Sequence, residues 1–165
     1  MNIRNAILVL LVASGAGWWF LHEDAEAQVR NAHEELVRLV SKAEGDSDAP
    51  SIFDIQALRG LFSESCEVSG DADVFVGNYS SETMVGRILQ VQALFQSIDL
   101  SIQDLEVEFP AADAAIGTFS AVLVGRSMID GEEDVAETRA VTSRMQRVEG
   151  DWRFSEFRLV EINEN

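Results

Sequence analysis

Between Glu23 and Ala43 the apolar positions recur at helical spacing. Val29, Ala32, Leu36, Leu39, Val40 and Ala43 share one stripe, and Arg30, Glu34, Glu35 and Arg38 lie largely off it. A polar stretch rich in Gly, Ser, Asp and Pro, Gly45 to Ser51, then reads as a loop. Ser51 with Asp54 three residues later has the form of a capping box, which predicts a second helix burying Ile52, Phe53, Ile55, Leu58, Leu61 and Phe62. Two short extended pieces follow, around Cys66–Val68 and Val74–Tyr79. A third helix is predicted after Ser80, because Met84, Ile88, Val91, Phe95 and Ile98 repeat at intervals of four and three.

After Asp99 the period changes to two. Leu105, Val107 and Phe109 alternate with Asp104, Glu106 and Glu108, which predicts a strand with one dry and one acidic face, suited to a sheet edge. Ala114–Ile129 and Val135–Val148 read as a long hairpin through Asp130-Gly131, and Glu149-Gly150-Asp151 as a tight turn into a last strand. Strict alternation sends Trp152, Phe154 and Val160 to one side of that strand, and Phe157 and Leu159 to the other. On the hairpin, Ile116, Val122, Val124 and Met128 oppose Phe119, Ala121 and Leu123. One sheet face can pack on helices. The other needs its own cover, so a homodimer through Phe157, Leu159 and an apolar row of the hairpin is expected.

Three helical segments before an antiparallel sheet, with the ending Gly150-Asp151-Trp152-Arg153-Phe154, resemble the nuclear transport factor 2-like, or SnoaL-like, superfamily from about Glu26 to Ile162. The resemblance implies an α+β cone, three N-terminal helices packed on a strongly curved, mixed but mainly antiparallel sheet. It also implies back-to-back dimers and, in the enzymes of the group, acid–base residues between helices and sheet. One such scaffold hosts isomerases, hydrolases, dehydratases, pure binding modules and assembly domains, so the fold leaves function open.

Residues 6–21 carry no charge and are nearly all apolar, with Arg4 before them and Glu23, Asp24 and Glu26 after. A membrane-spanning helix needs roughly 17–25 such residues, and Trp18, Trp19 and Phe20 suit the far interface. The expected division is an anchor over 1–22, its N-terminus cytoplasmic, and a domain over 23–165 in the periplasm or outside the cell. The alternative is a secreted domain, cleaved after the small-x-small pattern Ala25-Glu26-Ala27.

Charge narrows the choices further. The 165 residues hold 29 acids against 12 bases, a net charge of −17 that repels nucleic acid. The single cysteine, Cys66, excludes an internal disulfide. No metal-ligand pattern, phosphate loop or nucleophile elbow is present, and neither a metal nor a cofactor is expected.

Chemistry therefore has few places to sit. His33 lies at the edge of the first helical stripe, where a satisfied core histidine outweighs a base. Glu156 and Arg158, on the alternation above, share the face of Trp152 and Phe154 about 7 Å apart and would form a pocket-lining pair. Related chains often carry His-x-His at this point of the strand, and this chain departs from that pattern. Arg144, with Glu137 and Arg139 on the preceding strand, and Tyr79 near the expected pocket mouth complete the candidates. The pattern favours a non-catalytic, membrane-tethered module binding a small apolar ligand or a protein partner. The alternatives are an isomerase or hydratase using Glu156 with Tyr79 or His33, and a purely dimerising assembly domain.

Overall fold

Helix α1 occupies residues 24–40 in a computed structural model that describes residues 24–46, 50–71, 75–128 and 134–161. It buries Val29, His33, Leu36 and Leu39 along one stripe. The helix stops because the chain after it enters sheet pairing. Lys42 and Ile98 exchange backbone hydrogen bonds, each of 2.8 Å. The orphan carbonyls of Leu39 and Val40 are taken by the Gln92 amide at 2.8 and 3.0 Å.

Helix α2 (Ile52–Gly60) opens as its capping residues predict, with the Ser51 hydroxyl accepting from the Asp54 N–H. Its burial differs from expectation. Leu58 is buried and Ile55 and Ala57 lean on the core, whereas Ile52 and Phe53 are 66% and 78% exposed. Nine residues give barely two and a half turns, and only the part from Ile55 onward reaches the core. Arg38 ties the first turn of α2 to α1 by reaching both Glu35, at 2.7 Å, and Asp54, at 3.4 Å.

Strands β1 (Phe62–Gly70) and β2 (Gly77–Tyr79) precede helix α3 (Ser81–Gln92), which is capped by the Ser80 hydroxyl. Strands β3 (Phe95–Ala111), β4 (Ala114–Ser127), β5 (Val135–Val148) and β6 (Asp151–Glu161) follow. The sheet order is β2-β1-β6-β5-β4-β3, antiparallel except for the parallel β1–β6 pair. The acidic strand β3 is an edge, as its charge row predicts.

Phe95 and Ile98, expected on α3, belong to β3 instead. Ile98 is captured by Lys42, and Phe95 packs over Gly125, where a Cβ would stand 2.9 Å from its ring. Tertiary pairing here overrides a continuous helical spacing.

Two irregularities set which residues face the helices. At Asp104, whose φ is +55°, the β3 register shifts, and Val107 and Phe109 return to the core on the same side as Leu100 and Ile102. On β6, Phe154 pairs with Met145 and Glu156 with Arg144, so Ser155 is an extra, bulged residue. The bulge changes the phase of the strand. Trp152, Phe154, Phe157 and Leu159 therefore all face inward, and Glu156 and Arg158 face outward. The expected alternation is corrected on both counts: Phe157 and Leu159 are not available to an outer-face interface, and Glu156 and Arg158 are not on the concave side.

The packed end of the cone centres on Val29, Cys66, Met145, Trp152 and Phe154, each at most 5% exposed. Burial pushes the Cys66 thiol up to about 12, so it is an inert core residue. No helix among the described residues is long and apolar enough to cross a membrane, and the expected anchor, residues 6–21, lies outside them.

Candidate functional site

Beyond that packed end, under the second half of α1, the helices and the sheet part. Two adjoining chambers of about 250 and 230 Å³ open between α1, α3 and the concave face of the sheet. They share Phe75, Ile88, Leu100, Ala121 and Leu159 as lining residues, so they lie side by side. For scale, an apolar cavity of about 150 Å³ is enough to hold benzene.

The lining follows from phase. On β4 the inward set is Phe119, Ala121 and Leu123, and on β5 it is Glu137, Arg139 and Val141. Leu100 and Ile102 come from β3, and Phe157 and Leu159 from β6 beyond its bulge. Helix α3 contributes Met84, Arg87 and Ile88 to one chamber and Val91 and Gln92 to the other. Such a surface, nearly all apolar with a few polar groups at its margins, is the usual composition of a small-molecule site.

His33 lies just deeper, 1% exposed, at the junction of α1, β4, β5 and β6. Its Nδ1 is 2.8 Å from the Val29 carbonyl, which can only accept, so Nδ1 carries the proton and donates. Nε2 then accepts from the Ser143 hydroxyl at 2.8 Å. Phe119 and Phe154 meet the ring edge-on at 5.4 and 4.9 Å. Burial holds the imidazole pKa below its ordinary value, the Val29 hydrogen bond opposes that, and the Arg30 charge adds to it. Gly117 is required at this junction. A Cβ there would stand 2.7 Å from Ser143 Oγ and 2.9 Å from His33 Nε2.

A hydroxyl bonded to an imidazole has the form of a nucleophile and its base. Ser143, however, has no exposure and lines neither chamber, so nothing can approach its oxygen. The pair satisfies two buried polar groups and fixes α1 on the sheet.

The other sequence candidates do not meet at the cavity. Arg144 and Glu156 pair with each other across β5 and β6 on the outer face at 3.1 Å, with Arg144 exposed and Glu156 half-buried. Arg158 is exposed on the same face. Tyr79 leans on the core, its hydroxyl 3.4 Å from the Val76 carbonyl, and lines neither chamber. Glu137 and Arg139, whose faces alternation alone did not assign, do reach the cavity and bond to each other there. Ser143, Gly117 and Arg87 escaped the sequence reading altogether. The first carried a weak signal, since Glu137, Arg139, Val141, Ser143 and Met145 alternate in one phase. Among the described residues, no three His, Cys, Asp or Glu side chains gather to hold a metal ion.

An α+β cone with an apolar interior is the architecture of the nuclear transport factor 2-like, cystatin-like fold, and solved structures share it. A candidate scytalone dehydratase of Novosphingobium aromaticivorans matches with a TM-score of 0.69 at 14% identity, over 86% of this chain and 87% of its own. The hexachlorocyclohexane dehydrochlorinase LinA-type3 of Novosphingobium barchaimii matches at 0.66 and 15%, over 88% and 95%. A nuclear transport factor 2-like protein with a cystatin-like fold, also from Novosphingobium aromaticivorans, matches at 0.65 and 15%, over 91% and 89%. At these identities the likeness establishes the fold. No protein-family profile matches the chain, and no characterised protein matches it in sequence.

Proposed function

We propose that this domain is a binding module which takes a small, largely apolar molecule into the cavity between α1, α3 and the sheet. One observation carries the reading: two chambers sharing five residues are walled almost wholly by hydrocarbon and aromatic side chains. Such space gains its ligand by removing apolar surface from water, at roughly 25 cal/mol per Å².

The names of two fold neighbours, a dehydratase and a dehydrochlorinase, describe eliminations, and an elimination calls for a base aimed at the substrate. In this chain His33 has both ring nitrogens committed, and Glu137 is bonded to Arg139. Binding without turnover fits that arrangement better. The proposal also holds the cone at a membrane through residues 6–21, with Arg4 on the cytoplasmic side, on the strength of the uncharged run and its flanks.

The test is a titration of the full chain in lipid discs with the neutral fluorophore N-phenyl-1-naphthylamine, with empty discs subtracted. Saturable binding at one site is expected. Ala121→Trp places a large ring on a wall common to both chambers and should abolish the binding with the fold retained by circular dichroism. Equal binding by wild type and Ala121→Trp would overturn the proposal.

A further inference from the structure

We infer that the molecule held in this cavity is an uncharged hydrogen-bond donor, an apolar body bearing a hydroxyl group that the Gln92 side-chain carbonyl receives. The inference rests on the binding reading above and adds the chemical class of the ligand.

The two chambers differ in what they present. The smaller shows only hydrocarbon and ring surface, which suits the body of a ligand. The larger also shows polar atoms, and Gln92, Glu137 and Arg139 are the polar side chains on its wall. Glu137 and Arg139 are bonded to each other, so that wall carries no uncompensated charge to receive an anion or a cation. A charged head would shed its water there without meeting a counter-charge, which is costly. The head group is therefore uncharged.

Gln92 decides between a donor and an acceptor. Its Nε2 donates to the Leu39 and Val40 carbonyls at 2.8 and 3.0 Å, which spends both of its N–H bonds. Those carbonyls can only accept, so the nitrogen is the atom that faces them. Val40 lines the larger chamber together with Gln92, which sets the amide on that wall, at the seam between α1 and α3. Oε1 occupies the other corner of the amide plane, where it accepts from none of the described residues. The two donor bonds hold this oxygen in one orientation before a ligand arrives, so little order remains to be imposed on binding. Glu137 also has oxygens to offer, but its side chain is 43% exposed and keeps its water. A hydroxyl is the uncharged head that meets such an oxygen. An ether would bring a second acceptor and leave Oε1 unpaired.

The experiment is displacement of N-phenyl-1-naphthylamine from the full chain in lipid discs at neutral pH by octanol, methyl octyl ether and octanoate, which share a tail and differ in head. Partition into empty discs fixes the free concentrations, and the probe's own affinity is measured for each form of the protein. Gln92→Met keeps the length of the side chain and a good helix former while removing the amide. It should weaken octanol roughly fivefold, the size of one neutral hydrogen bond, and leave the ether unchanged. Octanoate should bind weakest to the wild type. A second measurement needs no variant: the side-chain carbonyl carbon signal of Gln92 should move with octanol and stay in place with the ether. If that signal ignores octanol, or Gln92→Met treats octanol and ether alike, the Gln92 assignment is wrong while the cavity reading stands. If octanoate binds tightest, the ligand class is wrong. If none of the three displaces the probe, the cavity reading falls and this inference with it.

Discussion

His33 is the residue whose chemistry is most tightly specified, because two hydrogen bonds and two aromatic edges surround one neutral ring. Its folded-state pKa is depressed below 6.5. The unfolded chain therefore takes up a proton near that value before the folded chain does. The resulting stability is complete above about pH 6.5 and is lost as pH falls toward the folded pKa, with a slope of at most about 1.4 kcal/mol per pH unit. Denaturant titrations between pH 7 and 5 should show that loss. The double variant His33→Phe, Ser143→Ala should be nearly flat over the same range, since Glu35 and Asp54, both held low by hydrogen bonds, lose their contribution only below the ordinary carboxylate range. Gly117→Ala pushes a methyl into Ser143 Oγ and His33 Nε2 and should cost about 1–3 kcal/mol in the same assay. Wild-type stability there would mean that the junction gives way easily. His33 was legible in the sequence as a satisfied core histidine. Its partner Ser143 was not, because a serine at position 143 and the ring at position 33 meet only once β5 is laid under α1.

Among the elements, strand β6 shows why a face pattern read by strict alternation can invert. The single bulged residue Ser155 lets Trp152, Phe154, Phe157 and Leu159 all turn inward and moves Glu156 and Arg158 to water. Strict alternation instead makes Glu156 and Arg158 a buried pair. With Arg158 exposed on the outer face, Arg158→Ala should shift stability by no more than about 0.5 kcal/mol. Arg144→Ala, which breaks the observed surface pair with Glu156, should cost less than about 1 kcal/mol. A loss of several kcal/mol from either, measured by chemical denaturation, would place the pair in the interior after all. Caps and turns were far more legible. Ser51 and Ser80 begin their helices, and Glu149 and Gly150, with φ of +54° and +96°, make the turn into β6. These are local signals, complete within four residues. The end of α3 was not legible, because Phe95 and Ile98 continue a helical spacing and only pairing with β4 and Lys42 recruits them to a strand.

The molecule as a whole is a cone packed at one end and hollow at the other, and its order of helices and strands could be read from the sequence. The cavity could not. It arises where inward positions of five strands and two helices leave space, and an apolar side chain that lines a hollow looks the same in sequence as one that fills a core. The proposed tether makes its own prediction. N-terminal sequencing of the membrane-bound protein should return a chain that retains residues 6–21, whereas a mature chain beginning at Gln28 would show a cleaved signal. The central claim is occupation of the interior. It is tested most directly by methyl-resolved NMR of the full chain in lipid discs, titrated with N-phenyl-1-naphthylamine. The methyl signals of Ile88, Leu100, Leu123 and Leu159, on the cavity walls, should shift in proportion to saturation, and those of Val124 and Val160, exposed on the sheet, should stay in place. Shifts confined to Val124 and Val160, with the wall methyls unmoved, would contradict the account.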